Sequence, residues 1–323
     1  MLLWSIPLVN SEPAGGKTGY PHCVSPPGPN DEQRLVEIIS KVRTWKRGDE
    51  RAPHKPLLLL LALGRVQRGE RRLVSFSEVE GKLRALLEAY GPCRRSYEPE
   101  LPFWHLQTDR LWVLPDAEHL TKRQGGKSPL ITEMRRAAKG GFPEEVDELL
   151  RANPELIRKL ARTLLEEHFP ASYHEELLTD VGLDLTEDAP RRTARDPVFR
   201  DLVLNAYGYQ CAVCGLAPIL DGTSAALEAA HLRWHSHGGP STVENGICLC
   251  PLHHKGLDLG VIGISEDSRV LISSRLHGGE TIETFFGRYH RQPLRGPVYG
   301  HPPVRHQYVE WHTQQVFKDP PRP

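Results

Sequence analysis

Cys211-Ala-Val-Cys214 opens a stretch that runs through Glu228-Ala-Ala-His231-Leu232, Gly238-Gly239 and Asn245-Gly246-Ile247 to Cys250-Pro-Leu-His253-His254, with Asp258 four residues further on. A Cys-x-x-Cys and a Cys-x-x-His each form a tight turn that aims two ligands at one point. Together the halves offer three thiolates and one imidazole, the set that closes a tetrahedral structural zinc site. Its expected ligands are Cys211, Cys214, Cys250 and His253. Cys248 rivals Cys250, because residues two apart on a strand share a face; the Cys-x-x-His spacing favours Cys250. Bound zinc would fold a small domain that has little core of its own.

The rest of the composition bounds the answer. The chain has 323 residues, 39% of them hydrophobic, which suits two domains and at least one sizeable core. Acidic and basic residues balance at 41 each, so any attraction to nucleic acid has to come from local patches. Four of the six cysteines fall within the quoted stretch, which speaks for metal ligation and against a disulfide framework. The opening Met-Leu-Leu-Trp-Ser-Ile-Pro-Leu-Val is apolar but short, with no basic segment before it, and no run reaches the roughly 18 apolar residues of a membrane span. The expectation is a soluble, cytoplasmic protein without a membrane partner.

Working back toward the N-terminus, residues 1–29 are Gly-, Pro- and Ser-rich over most of their length and read as a disordered leader. From Asp31 to about Lys46, Leu35, Val36, Ile38, Ile39 and Val42 have the spacing of an amphipathic helix capped by Asn30 or Asp31. Lys55-Pro-Leu-Leu-Leu-Leu-Leu-Ala-Leu63 predicts a buried helix with Pro56 in its first turn. A short segment at Val74 and a helix over Glu78–Tyr90 follow. Residues 97–114 alternate aromatic and apolar positions and predict a hairpin turning near Thr108-Asp109-Arg110. Helices are expected around 143–152 and 154–168. The boundaries drawn are a first domain at 30–178, a linker at 179–197, a second domain at 198–275 and an irregular His-, Arg- and Pro-rich arm at 276–323.

The order Cys-x-x-Cys, Ala-Ala-His, Gly-Gly, Asn, Cys-x-x-His-His resembles the HNH, or ββα-metal, nuclease family in its McrA-like restriction branch, over about residues 199–264. The resemblance implies a DNA endonuclease in which His231 takes the proton from water. His254 would hold a divalent ion, Mg2+ or Mn2+, and Asn245 would fix the loop between the strands and orient His231. Asp258, one helical turn beyond His254 and on the same face, can share the ion. Many members carry Asp or His immediately before the base, where this chain has Ala230. Either the ion has fewer protein ligands or Glu228 reaches it.

Arg51-Ala-Pro-His54-Lys55-Pro56 and Tyr97-Glu-Pro99-Glu-Leu-Pro102-Phe103-Trp104 resemble the sulfur-binding domain of type IV restriction enzymes directed at phosphorothioated DNA, over about residues 30–175. Sulfur in place of a non-bridging oxygen makes one face of the phosphate larger and less hydrated, which an apolar cup can favour. Tyr97, Pro99 and Pro102 would line that cup. His54 and Lys55 would supply donors near a helix N-terminus, and Arg123 would reach the flanking DNA. Phe103 and Trp104 read as core. Where the family's turn suggests Gly, this chain has Arg110.

The fold class that follows is α+β: a mainly helical N-terminal sulfur-binding domain with a hairpin, and a C-terminal, zinc-containing ββα-metal domain. Its partner is double-stranded DNA bearing phosphorothioate. Because one HNH site makes one nick, double-strand cleavage would call for a homodimer or two binding events. Two alternatives remain at this level: the same nuclease directed at methylated cytosine, and a non-cleaving DNA-binding protein with a decayed HNH fold.

Overall fold

The computed structural model describes residues 29–42, 53–115, 117–122, 128–185 and 197–323. Its first half is helical. Helix α1 (Pro29–Ser40) is followed by α2 (His54–Gln67), in which Leu57 to Leu63 are all buried and Pro56 occupies the first turn. A helix apolar on every side has to be central, and α2 packs against α3, α4, α6, α7 and α8. Strand β1 (Val74–Ser75) leads into α3 (Phe76–Tyr90); α4 (Glu100–His105) and α5 (Ile131–Ala137) follow. Strand β2 (Lys139–Gly140) pairs antiparallel with β1. Then come α6 (Glu144–Ala152), α7 (Pro154–His168) and α8 (Ala171–Val181). The start of α7 is set locally: Asn153 accepts the Leu156 amide through its side chain and Pro154 fills the first turn.

The second half holds the ββα unit. Helix α9 (Pro197–Ala206) precedes a small ribbon, β3 (Ile219–Leu220) with β4 (Thr223–Ser224). Strand β5 (Glu228–His231) pairs antiparallel with β6 (Gly246–Leu249), setting His231 opposite Gly246 and Glu228 opposite Leu249. Cys250 follows β6 as the N-cap of α10 (Pro251–Asp258), which has Pro in its first turn. A second antiparallel pair, β7 (Ile262–Ile264) and β8 (Val270–Ile272), closes the core that includes Val203, Ile247 and Leu257.

Several sequence expectations change. Residues 97–114 form no hairpin: α4 and a 3-10 turn over Leu106–Asp109 occupy the segment. The aromatic alternation there serves packing, since Phe103 is fully buried and meets Phe76 and Trp112 edge-on, each at 5.3 Å. Arg110 does stand at a left-handed position, φ 59°, the conformation that would favour Gly. Helix α1 begins at Pro29, ahead of both residues expected to cap it. Helix α8 carries regular structure to Val181, past the boundary drawn at 178. The leader through residue 28 and linker residues 186–196 lie outside the described residues, as does Arg123.

The C-terminal segment is not an irregular arm. It forms α11 (Glu280–Phe285) and α12 (His306–Gln315) and ties the halves together. Trp311 joins Trp234 in the first hydrophobic cluster, with ring centroids 5.9 Å apart. Lys318 donates to the carbonyls of Glu88 and Gly91 at 3.0 and 2.8 Å. Among the described residues, no helix is long and apolar enough to cross a membrane.

Candidate active site

The two ends of the Cys/His stretch meet. One ligand atom from each of Cys211, Cys214, Cys250 and His253 lies within 4.8 Å of the other three. His253 Nδ1 is 3.5 Å from Cys211 Sγ and 3.2 Å from Cys250 Sγ. With Zn–S near 2.3 Å and Zn–N near 2.0–2.1 Å, a tetrahedron has an S···N edge of roughly 3.5 Å. The ring orientation fits as well: Nε2 lies 2.9 Å from the Phe285 carbonyl, which can only accept, so the proton sits on Nε2 and Nδ1 keeps its lone pair. Gly215, at φ +73°, lets the knuckle turn back so that its amide donates to the Cys211 carbonyl.

Geometry separates the ligands from their rival. A hydrogen bond from the Cys250 thiol lowers Cys211 against the effect of burial, and the same bond pushes Cys250 up, so the pair shares its proton in favour of one thiolate. Burial pushes Cys248 up to about 12, the state of a neutral core thiol. Cys248 lies on β6 across from Ala229 and is not one of the four converging residues. The cluster can therefore hold zinc through the four residues expected.

A second group lines a cavity of about 450 Å³ between α10, β5, α9 and the corner joining α7 to α8. His231, His235, His254, Glu228 and Asp258 all border it. His231 ends β5; its ring stacks on Phe199 of α9, with centroids 3.9 Å apart, and its Nε2 lies 3.2 Å from Ser241 Oγ. Asn245 is fully buried and works on the loop. Its Oδ1 accepts the Arg233 amide, and its Nδ2 donates to the carbonyls of Arg233 and Pro240, each at 2.9 Å. Its expected influence on His231 thus runs through the loop that carries Ser241. Gly239 closes that loop: a Cβ there would come within 1.8 Å of the Arg233 carbonyl oxygen.

His254 stands between two carboxylates. Its Nδ1 lies 2.7 Å from Glu228 Oε2 and its Nε2 3.4 Å from Asp258 Oδ2. Glu228 thus stands beside His254, whereas Ala230 offers no ligand group. Asp258 carries partners that the sequence did not indicate. It is buried, its Oδ2 accepts the Ser172 hydroxyl at 2.5 Å, and its backbone carbonyl accepts the Tyr173 hydroxyl at 2.6 Å. Burial pushes its carboxyl above the usual carboxylate range, and the neighbouring His254 offsets this only in part. A carboxylate fixed this way orients an imidazole better than it wraps an ion. Nothing in the sequence around Ser172 and Tyr173 marks them, because no spacing links α8 to α10.

The candidate DNA-reading residues are distributed less openly than expected. His54, Lys55 and Tyr97 are half-buried, whereas Pro99 and Pro102 are buried. The Lys55 ammonium is paired with Asp109 at 2.5 Å. The Tyr97 hydroxyl donates to the Pro92 carbonyl at 3.2 Å.

Residues 32–186 match the family model for a ScoMcrA-like DNA sulfur-binding domain, and residues 211–265 match that for an HNH endonuclease. The chain belongs to the ScoMcrA-like DNA sulfur-binding family. It joins a DNA sulfur-binding domain to an HNH endonuclease domain, and it is a nuclease. Among solved structures it is similar to the sulfur-binding domain of ScoMcrA complexed with phosphorothioated DNA, at 30% identity and a TM-score of 0.41, covering 46% of this chain and 95% of that one. It is similar also to the type IV phosphorothioation-dependent restriction endonuclease ScoMcrA, at 29% identity and a TM-score of 0.40, covering 46% of this chain and 32% of that one. The sulfur-binding domain of SprMcrA complexed with phosphorothioated DNA matches at 23% identity and a TM-score of 0.38, covering 47% of this chain and 94% of that one. No curated protein matches the chain.

Proposed function

We propose that this protein is a modification-dependent restriction endonuclease that binds phosphorothioated double-stranded DNA through residues 32–186 and hydrolyses phosphodiester bonds at the cavity bordered by His231 and His254. The observation that carries the reading is a sulfur-binding-domain match on the same chain as an HNH module with its histidines on one cleft.

The chemistry is assigned to this chain's own side chains. His231, held by Phe199 and Ser241, takes the proton from the attacking water. Glu228 Oε2 and His254 Nδ1, 2.7 Å apart, form the pair that would hold Mg2+ or Mn2+, a carboxylate and an imidazole that suit such an ion. When bound, the ion supplies Lewis-acid stabilisation of the charge developing on the phosphorane. Asp258 Oδ2 faces His254 Nε2 at 3.4 Å and so holds the ring with Nδ1 turned toward Glu228. Asn245 holds the loop.

On the reader, His54, Lys55 and Tyr97 are assigned to the modified phosphate and Arg123 to the flanking backbone, with Pro99 and Pro102 shaping the pocket from below. The partner is duplex DNA, and cutting both strands is assigned to a homodimer. A gel shift without added divalent ion, using duplexes that differ in one phosphorothioate, tests the reader. The expected result is tighter binding of the sulfur-bearing duplex; equal affinity for both would remove the proposed target.

A further inference from the structure

Four side chains form a continuous row across the boundary between the halves: Ser172 on α8, Asp258 and His254 on α10, and Glu228 on β5. The contacts are 2.5 Å from Ser172 Oγ to Asp258 Oδ2, 3.4 Å from that same Oδ2 to His254 Nε2, and 2.7 Å from His254 Nδ1 to Glu228 Oε2. We infer that Ser172, supplied by the DNA-reading half, is a positioning residue for the divalent-ion site of the nuclease half. The inference rests on the reading of Glu228 and His254 as the ion-binding pair.

A serine hydroxyl has one proton to give, and here it goes to the carboxylate oxygen that faces His254. With Oδ2 anchored, the Asp258 carboxylate faces Nε2 from a fixed place, 3.4 Å away. The ring then keeps one orientation, Nδ1 toward Glu228. Partners of a metal-ligating imidazole typically alter metal affinity by about 10–100-fold when removed. The neighbouring residue gives a built-in comparison. Tyr173 also bonds Asp258, but through the backbone carbonyl, and so holds the helix without touching the carboxylate. Lys255 reinforces the same seam, donating to the Ser172 carbonyl and pairing with Glu176 at 3.3 Å. The nuclease site is therefore complete only while α8 is seated on α10, which links DNA reading to ion binding by reciprocal coupling.

The test is a Mn2+ titration of the full-length, zinc-loaded chain, reading free Mn2+ by electron paramagnetic resonance. Ser172→Ala should weaken Mn2+ binding on the order of 10-fold, Ser172→Thr should restore it, and Tyr173→Phe should leave it within about twofold. Glu228→Gln separates the two ideas. If it weakens binding while Ser172→Ala does not, the positioning role is overturned and the ion pair stands. If Glu228→Gln binds Mn2+ as tightly as the wild type, the ion site lies elsewhere and both readings fall. Equal weakening by Tyr173→Phe and Ser172→Ala, without recovery in Ser172→Thr, would reduce Ser172 to interface packing and also overturn the inference.

Discussion

His253 donates its Nε2–H to the carbonyl of Phe285, 32 residues further along the chain, at 2.9 Å. The C-terminal segment thereby sets the tautomer of a zinc-site residue and turns Nδ1 toward Cys211 and Cys250. Phe286 and Tyr289 meet the same ring edge-on, with centroids 5.7 and 5.4 Å away. The cluster and the segment that covers it pack together.

Cys211→Ser should release the metal and lower the melting temperature of the C-terminal half. Cys248→Ala should keep the metal and lose only core packing. Zinc content per chain, measured by atomic emission on both variants, checks this. Full retention of zinc in Cys211→Ser would dismiss the four-residue site.

His231→Ala should reduce cleavage by roughly 10²–10⁴-fold, the usual contribution of a general base. Its ring packs on Phe199 at the edge of the cavity and lies outside the reading half, so DNA affinity should be unchanged. Loss of binding together with cutting would make the histidine structural.

Asn245→Ala should destabilise the protein by about 2–4 kcal/mol, because two carbonyls and one amide lose buried partners. Asn245→Asp should be worse than Ala: it would aim carboxylate oxygens at the carbonyls of Arg233 and Pro240. Chemical denaturation of both variants gives the order, and an Asp variant more stable than Ala would contradict the assigned bonds.

Arg135, and then Arg84, hold the Glu80 carboxyl below its ordinary value of 4.5. A depressed carboxylate contributes stability above its unfolded pKa and loses it as pH falls through the folded value. Glu80→Gln should therefore cost at most about 1 kcal/mol at pH 7, since Arg135 is half exposed. The difference from wild type should fade below the carboxylate range. A deficit that persisted in acid would point to packing instead.

The sequence disclosed most where local spacing carries the chemistry. Cys211, Cys214, Cys250 and His253 converge because two short turns dictate it, and the buried helix over Leu57–Leu63 follows from an uninterrupted apolar run. Residues 97–114 misled because aromatic alternation suits a strand, yet Phe103 and Trp112 alternate here to meet edge-on around a helix and a 3-10 turn. Asp258 was legible in part. Its helical spacing from His254 could be read, but the Ser172 hydroxyl that bonds it comes from a helix 86 residues away. The C-terminal segment gave no periodic signal, because its order comes from long-range anchors such as Lys318 on Glu88 and Gly91.

The most direct test of the account is cleavage, with Mn2+ or Mg2+, of paired duplexes that differ only in one phosphorothioate. The account predicts cutting confined to the sulfur-bearing duplex and abolished by His231→Ala. Equal cutting of both duplexes would contradict the reading of phosphorothioate and leave the nuclease without its proposed target.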